Sequence, residues 1–215
     1  MDYSCGIGRH SIHLANLGYE VVGYDPSPFY IEIAKKNANK FLGSKNKIRF
    51  YQGAPTQVSK LLSQKKDTSF DAVVFMSSSL GFISEEYDVK MLKNVYSLSN
   101  NGSVLVIEFE NRDHTLKNFR SQINYDIKNL HVYERWRFDY EVSKAIGECK
   151  YYEKQHDNSL KYLVEIETTL RLYSLHELKK LINSTGWKYM ECCGNIMTID
   201  RPNLDYEDIV TISKK

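Results

Sequence analysis

The chain has 215 residues, 42% of them hydrophobic, with 29 basic and 27 acidic side chains and a formal charge of +2. That is enough to bury a sizeable core, and the charge is too even to imply a broad nucleic-acid-binding face or a disordered tail. Cys5, Cys149, Cys192 and Cys193 include one vicinal pair and no C-x-x-C spacing, so no zinc site or disulfide framework is indicated and a reduced, cytoplasmic setting is expected. No apolar run approaches the roughly 20 residues that span a bilayer, and the first residues lack the basic-then-apolar pattern of a signal peptide.

Met1 to His10 contain a Gly6-x-Gly8 turn. Glycine lacks a Cβ, so such a turn bends sharply and lets backbone approach a ligand, while the following helix aims its free N–H groups at it. Ile12, Leu14, Ala15 and Leu17 predict that helix, with Gly18 as its stop. Glu20 to Tyr24 read as a buried strand ending at Asp25, and Ser27 caps a helix that starts at Pro28. Its apolar face, Ile31, Ala34, Ala38 and Phe41, runs to about Leu42. Lys47 to Gln52 form the next strand, Gly53-Ala54-Pro55 a turn, and Val58, Leu61 and Leu62 a helix. Phe70 to Met76 is a continuous apolar run, as in a parallel strand covered on both faces, and a Ser77-Ser78-Ser79 loop follows. Met91, Val95 and Leu98 mark a helix ending at Asn100-Asn101-Gly102, and Val104 to Phe109 a fifth strand. Strands alternating with helices predict an α/β doubly wound, mostly parallel sheet.

From Arg112 the pattern changes. Leu116 to Asn124 read as a short helix, after which Val132, Glu134, Trp136, Phe138, Tyr140 and Val142 share a strand face that only Glu134 makes polar. A second strand is expected from about Ala145 to Lys154, a turn at Asp157-Asn158, and a third strand with Leu160, Tyr162, Val164, Ile166, Leu170 and Leu172 on one face. Three such strands make an antiparallel sheet that must lie against something. The expected organisation is a main domain of 1–111 and 174–215 with residues 112–173 inserted as a cap. Ser174 and Glu177 form a capping-box pattern for a helix carrying Leu175, Leu178, Leu181 and Ile182, with Gly186 as its stop. Trp187 to Cys193 and Ile209 to Ile212 are strands joined without a helix, which allows them to pair antiparallel.

Ligands of open α/β sheets sit at the carboxyl ends of the strands, here Ser4 to Gly8, Asp25 and Gly53-Ala54. Asp25 stands where an acid accepts from ribose hydroxyls. Ser11 replaces the third glycine of the dinucleotide fingerprint, which counts against NAD.

Asp2 to His10, Val21 to Ser27, Phe70 to Val74 and Asn100 to Val106 resemble the successive motifs of class I S-adenosylmethionine-dependent methyltransferases, a resemblance covering nearly the whole chain. Leu170 to Leu178 is similar to a segment in members that methylate small molecules, some of which carry an antiparallel sheet over the active-site mouth. The resemblance implies a Rossmann-like methyltransferase fold with S-adenosylmethionine as cofactor. It puts the methionine part against Asp2 and the backbone of Ser4, Cys5, Gly6 and Gly8, the ribose on Asp25, and Pro26 beside the adenine. Met76 and Ser77 would line the methionine end. Ala54 departs from the acid that many members place after the third strand, and Ser4 from their glycine. In that family an apolar strand feeding the turn forms the middle of the sheet. Here only Met1 precedes Asp2, so the cofactor loop is expected to have incomplete support.

The implied activity is methyl transfer to an oxygen or nitrogen of a small molecule, where alignment supplies most of the rate and a base is needed only if the acceptor must lose a proton. His114 and His131, with Glu134 and Tyr133 behind them, are the candidates, each more readily read as a surface or structural group. Tyr133, Arg135 and Arg171 are candidate substrate contacts on the same terms. Two other readings stand beside this one: a catalytically silent cofactor-binding module acting through a partner, and a methyltransferase acting on RNA or protein.

Overall fold

The computed structural model describes residues 1–41, 47–77, 79–195, 197 and 199–215, and the expected helix end at Leu42 and the middle of the serine loop at Ser78 lie outside them. Its first half follows the alternation of the sequence: β1 (Asp2–Tyr3), α1 (Arg9–Asn16), β2 (Val21–Asp25), α2 (Pro28–Phe41), β3 (Ile48–Gln52), α3 (Val58–Gln64), β4 (Phe70–Phe75), α4 (Glu85–Ser97) and β5 (Ser99–Glu110). Gly18, at φ 92°, ends α1 in the left-handed conformation that a side chain disfavours. The second half contains α5 (Arg112–Lys117), β6 (Gln122–Ile127), β7 (Leu130–Asp139), β8 (Lys144–Lys154), β9 (Leu160–Arg171), α6 (Leu175–Ser184), β10 (Lys188–Cys193) and β11 (Asp208–Lys214). The reciprocal Ser174–Glu177 capping box starts α6 as expected.

Seven strands form one sheet in the order β10-β11-β5-β4-β1-β2-β3, parallel except for β10 and β11, and β6-β7-β8-β9 form a separate antiparallel sheet. Tyr3, Tyr24, Phe75, Leu92, Leu105, Ile107, Leu178 and Trp187 fill the larger core on one face of the parallel sheet. Cys5, Ile12, Ile31, Ala34, Ala38 and Phe50 make a smaller one under α1 and α2.

The middle strand is short. Asp2 pairs with Gly23 and Val74, and Tyr3 with Tyr24 and Phe75, so β1 bridges its neighbours over two residues. The Tyr3 ring stacks on Phe75 with centroids 4.5 Å apart and lies 5.6 Å from that of Tyr24, strengthening the join with aromatic contact. Away from β1, Asp71 and Ala72 of β4 are exposed. Full coverage of that strand was expected, and it fails at this end although Ala72 pairs with Val104 of β5 and accepts from the Met1 amino group.

Three further expectations are corrected. Leu116 to Asn124 is not one helix: α5 ends at Lys117 and β6 begins at Gln122, giving the antiparallel sheet four strands, because Ile123, Tyr125 and Ile127 alternate and Lys128 turns the chain at φ 54°. β7 stops at Asp139, leaving Tyr140 79% exposed in the turn that follows. Asn100 to Gly102 lie inside β5, where pairing with β4 jumps from Phe70–Ser99 to Ala72–Val104, so the turn residues make an irregularity of the strand. On the edge strand β9, Leu160, Tyr162, Val164 and Ile166 are exposed, and Leu170 and Leu172 are the residues of that face that pack inward.

Candidate functional site

The glycine turn, the ends of β2 and β4, and the start of α4 enclose a cavity of about 770 Å³. The turn is held on three sides. Ser4, Gly6 and Gly8 all have positive φ, the Cys5 amide donates to the Tyr24 carbonyl at 3.0 Å, and the Gly8 amide donates to that of Cys5 at 2.9 Å. A Cβ on Gly8 would approach Ala34 and the Phe50 ring at 3.1 Å, so the turn packs directly on α2 and β3. Asp25, 4% exposed, accepts from the Gly6 amide through Oδ2 and from the Ser27 amide through Oδ1, both at 2.8 Å. It therefore ties the turn to the end of β2 while retaining lone pairs toward the cavity it lines. The Tyr3 hydroxyl donates to the Pro55 carbonyl at 2.5 Å and the Tyr24 hydroxyl to that of Ala54 at 2.8 Å. The β1 and β2 tyrosines thus position the segment after β3.

The far wall is fixed by a buried network. Asp88 of α4, 1% exposed, accepts from the Gly81 amide at 3.0 Å and the Tyr173 hydroxyl at 2.6 Å, and burial holds its carboxyl above the usual range. Arg171 lies over the Tyr173 ring and pairs with Glu85 and Glu177. The Phe82–Ile83 wall of the cavity is thereby fastened to the linker between β9 and α6. Tyr173→Phe removes one donor from a buried carboxylate and is expected to lower stability by about 1–3 kcal/mol in urea denaturation; an unchanged midpoint would contradict this account.

A second cavity, of about 500 Å³, lies between the carboxyl end of β5, the start of β11, α5 and the antiparallel sheet. His114 Nδ1 sits 2.8 Å from the Leu204 carbonyl, which can only accept, so Nδ1 donates, and Nε2 lies 3.2 Å from the Asn118 amide. Glu134 accepts from the Tyr125 hydroxyl and the Trp136 indole, each at 2.7 Å, and its carboxylate raises the Tyr125 hydroxyl to about 12. Thr115 donates to Glu110 at 2.7 Å.

Asp208 is held above the ordinary carboxyl range by partial burial first, then by Glu108, Glu110 and Glu207. Such a group adds stability while protonated, below the unfolded carboxyl range, and loses it as pH rises through the folded value. Asp208→Asn is accordingly expected to melt higher than wild type at neutral pH, with the advantage shrinking on acidification. Equal melting curves at neutral pH would refute it.

Glu108 connects the cavities. Its carboxylate accepts from the Ser77 amide of the first cavity at 2.8 Å, and Glu110, two residues along the same face of β5, lines the second.

Of the expected cofactor residues, Ser4, Cys5, Gly6, Asp25, Pro26, Met76 and Ser77 line the first cavity. Asp2, Gly8 and Ala54 stand behind it; Asp2 accepts from Ser11 at 2.5 Å and anchors α1. His114 and Glu134 come together in the second cavity. His131 instead pairs with Asp126, and Tyr133 and Arg135 lie on the face of β7 opposite Glu134 and Trp136. Arg171 is taken up by its ion pairs away from both cavities. Sequence reasoning missed Tyr87, Asp88 and the Phe82–Ile83 wall; the Ser84 N-cap directly after two apolar residues was the available signal.

A methyltransferase-domain family model matches residues 1–102. The chain is 27% identical over 118 residues to glycine/sarcosine N-methyltransferase of Parasynechococcus marenigrum, covering 54% of this chain and 39% of that protein. It spans about two fifths of the length of the curated relatives it matches. An S-adenosylmethionine-dependent methyltransferase from Clostridium acetobutylicum superimposes with a TM-score of 0.80 at 15% identity, over 99% of this chain and 82% of that one. CalS10, an amino pentose methyltransferase from Micromonospora echinaspora, does so at 0.66 and 14%, over 100% and 82%. Residues 1–102 thus match a methyltransferase domain, and the strand order around β1 gives the chain the Rossmann-like fold seen in class I S-adenosylmethionine-dependent methyltransferases.

Proposed function

We propose that the chain binds S-adenosylmethionine in the first cavity and transfers its methyl group to an oxygen or nitrogen of a small molecule held in the second, beneath the antiparallel sheet. The observation that carries this reading is the Ser77–Glu108 contact, which brings the wall of one cavity within two residues of the other. The first cavity falls within the roughly 300–1,000 Å³ of small-molecule sites. Asp25 supplies a ribose acceptor, and the positive-φ turn brings backbone close without intervening side chains. Ala54 offers no side-chain acceptor to the adenine, so that end rests on backbone and Pro26. The sulfonium of the cofactor, when bound, supplies an activated methyl group. This chain's part is alignment, exclusion of water by Phe82 and Ile83, and proton removal from the acceptor by His114 Nε2.

Calorimetry of the whole chain with S-adenosylmethionine and its demethylated product tests the first half; no heat with either sinks it. Transfer of labelled methyl across a metabolite panel tests the second. Binding without transfer to any acceptor would favour the silent module.

A further inference from the structure

The base end of the first cavity is short of side-chain partners. Ala54 stops at a methyl group, and the polar groups around it are engaged. The Tyr24 hydroxyl donates to the Ala54 carbonyl at 2.8 Å, the Tyr3 hydroxyl to that of Pro55 at 2.5 Å, and the Gln52 amide to that of Pro26 at 3.0 Å. Tyr87 is the exception. It lines the cavity with Pro55, is half-buried, and its hydroxyl has no hydrogen-bond partner among the described residues.

Its place is set by α4. Asn94 of that helix donates to the Thr56 carbonyl at 2.9 Å and accepts from Ser59 at 2.7 Å, fastening α4 beside the segment after β3. Tyr87 lies seven residues earlier, two turns along the same face, which carries its ring from that anchor toward Pro55 and the cavity. Tyr24 feels the approach: burial first, then Tyr87, pushes its hydroxyl up to about 12. The Tyr87 ring packs against the core while its polar tip reaches the cavity, and a phenol so placed takes its partner from the ligand.

We propose that the Tyr87 hydroxyl reads the base of the nucleoside held in the first cavity, its oxygen accepting from the exocyclic amine of an aminopurine where Ala54 offers no acceptor. The proposal rests on the reading of the first cavity as the cofactor site. It makes Tyr87 a specificity residue, because a purine without that amine leaves the phenol oxygen unpaired.

Adenosine and purine riboside, which differ only in the amine, are titrated into the whole chain by calorimetry and by protein-observed NMR. The variants are Tyr87→Phe and, as a control, Tyr19→Phe on an exposed tyrosine outside the cavity lining. Adenosine is expected to bind about fivefold more tightly than purine riboside to wild type and to Tyr19→Phe, the scale of one neutral hydrogen bond. In Tyr87→Phe that preference should fall to about twofold or less, through weaker adenosine binding with purine riboside unchanged. Because no described residue bonds the hydroxyl, Tyr87→Phe should also melt like wild type, which keeps a folding defect from imitating the result. Equal affinity for the two nucleosides in wild type, an undiminished preference in Tyr87→Phe, an equal loss for both, or absence of adenosine binding at millimolar concentration overturns the proposal. Cofactor binding is measured separately. A chain that binds S-adenosylmethionine but keeps its preference in Tyr87→Phe fails this inference alone. One whose preference depends on Tyr87 but which does not bind the cofactor fails the methyltransferase reading instead.

Discussion

Asp25→Ala is expected to weaken S-adenosylmethionine binding by about 1–3 kcal/mol, and to lower the stability of the free chain by about 2 kcal/mol as well. The first effect is the loss of a charged acceptor for the ribose. The second follows from geometry: the Gly6 and Ser27 amides both donate to this carboxylate at 2.8 Å, and alanine leaves both without it. Asp25→Asn separates the two effects. Its remaining carbonyl oxygen can keep one amide, so stability should recover partly while affinity stays low. Calorimetry gives the affinity and urea denaturation the stability. A variant that binds the cofactor like wild type would mean that Asp25 serves the turn alone.

Gly81→Ala should be the more damaging change to the fold, by about 3 kcal/mol. Gly81 has φ 90°, and a Cβ there would press into the Arg171 carbonyl oxygen, a backbone atom that cannot step aside. The same glycine donates to Asp88 and accepts from the Arg171 amide at 2.9 Å, so a shift breaks both bonds. Gly102 provides the control. It has φ 84° but nothing within 4 Å of its absent Cβ, so Gly102→Ala carries only the left-handed penalty, about 1–2 kcal/mol. Urea midpoints that fall equally for both variants would remove the steric part of the argument. Because Phe82 and Ile83 follow Gly81 into the first cavity, weaker cofactor binding should accompany the loss.

The lining of the first cavity was legible in the sequence because its parts are local. Gly6, Gly8 and Asp25 belong to strand-end turns whose conformation depends on their own residue types and immediate neighbours. The second cavity was not legible in the same way. Glu110, His114, Glu134, Trp136 and Asp208 meet only because α5, β7 and β11 converge, and reading Leu116 to Asn124 as a helix hid the strand that completes that sheet. Glu134 looked like a flaw in an apolar face. Its hydrogen bonds to Tyr125 and Trp136 explain why a carboxylate persists there, and Tyr125 lies on the strand that was missed. The role of Asp25 in bracing its own turn was also invisible, since no spacing rule says which amides a carboxylate will reach. Arg171, singled out for its charge, serves instead to join α4, α6 and the end of β9.

Cys5 lies at the centre of the glycine turn, buried, with burial first and the Asp2 and Asp25 charges next pushing its thiol well above the ordinary value. A thiol so placed is almost wholly protonated and shielded at neutral pH, so an alkylating reagent must wait for the turn to open. Its labelling rate is then a clock for that opening. It would read the motion of the loop that lines the first cavity, without any substrate in the tube.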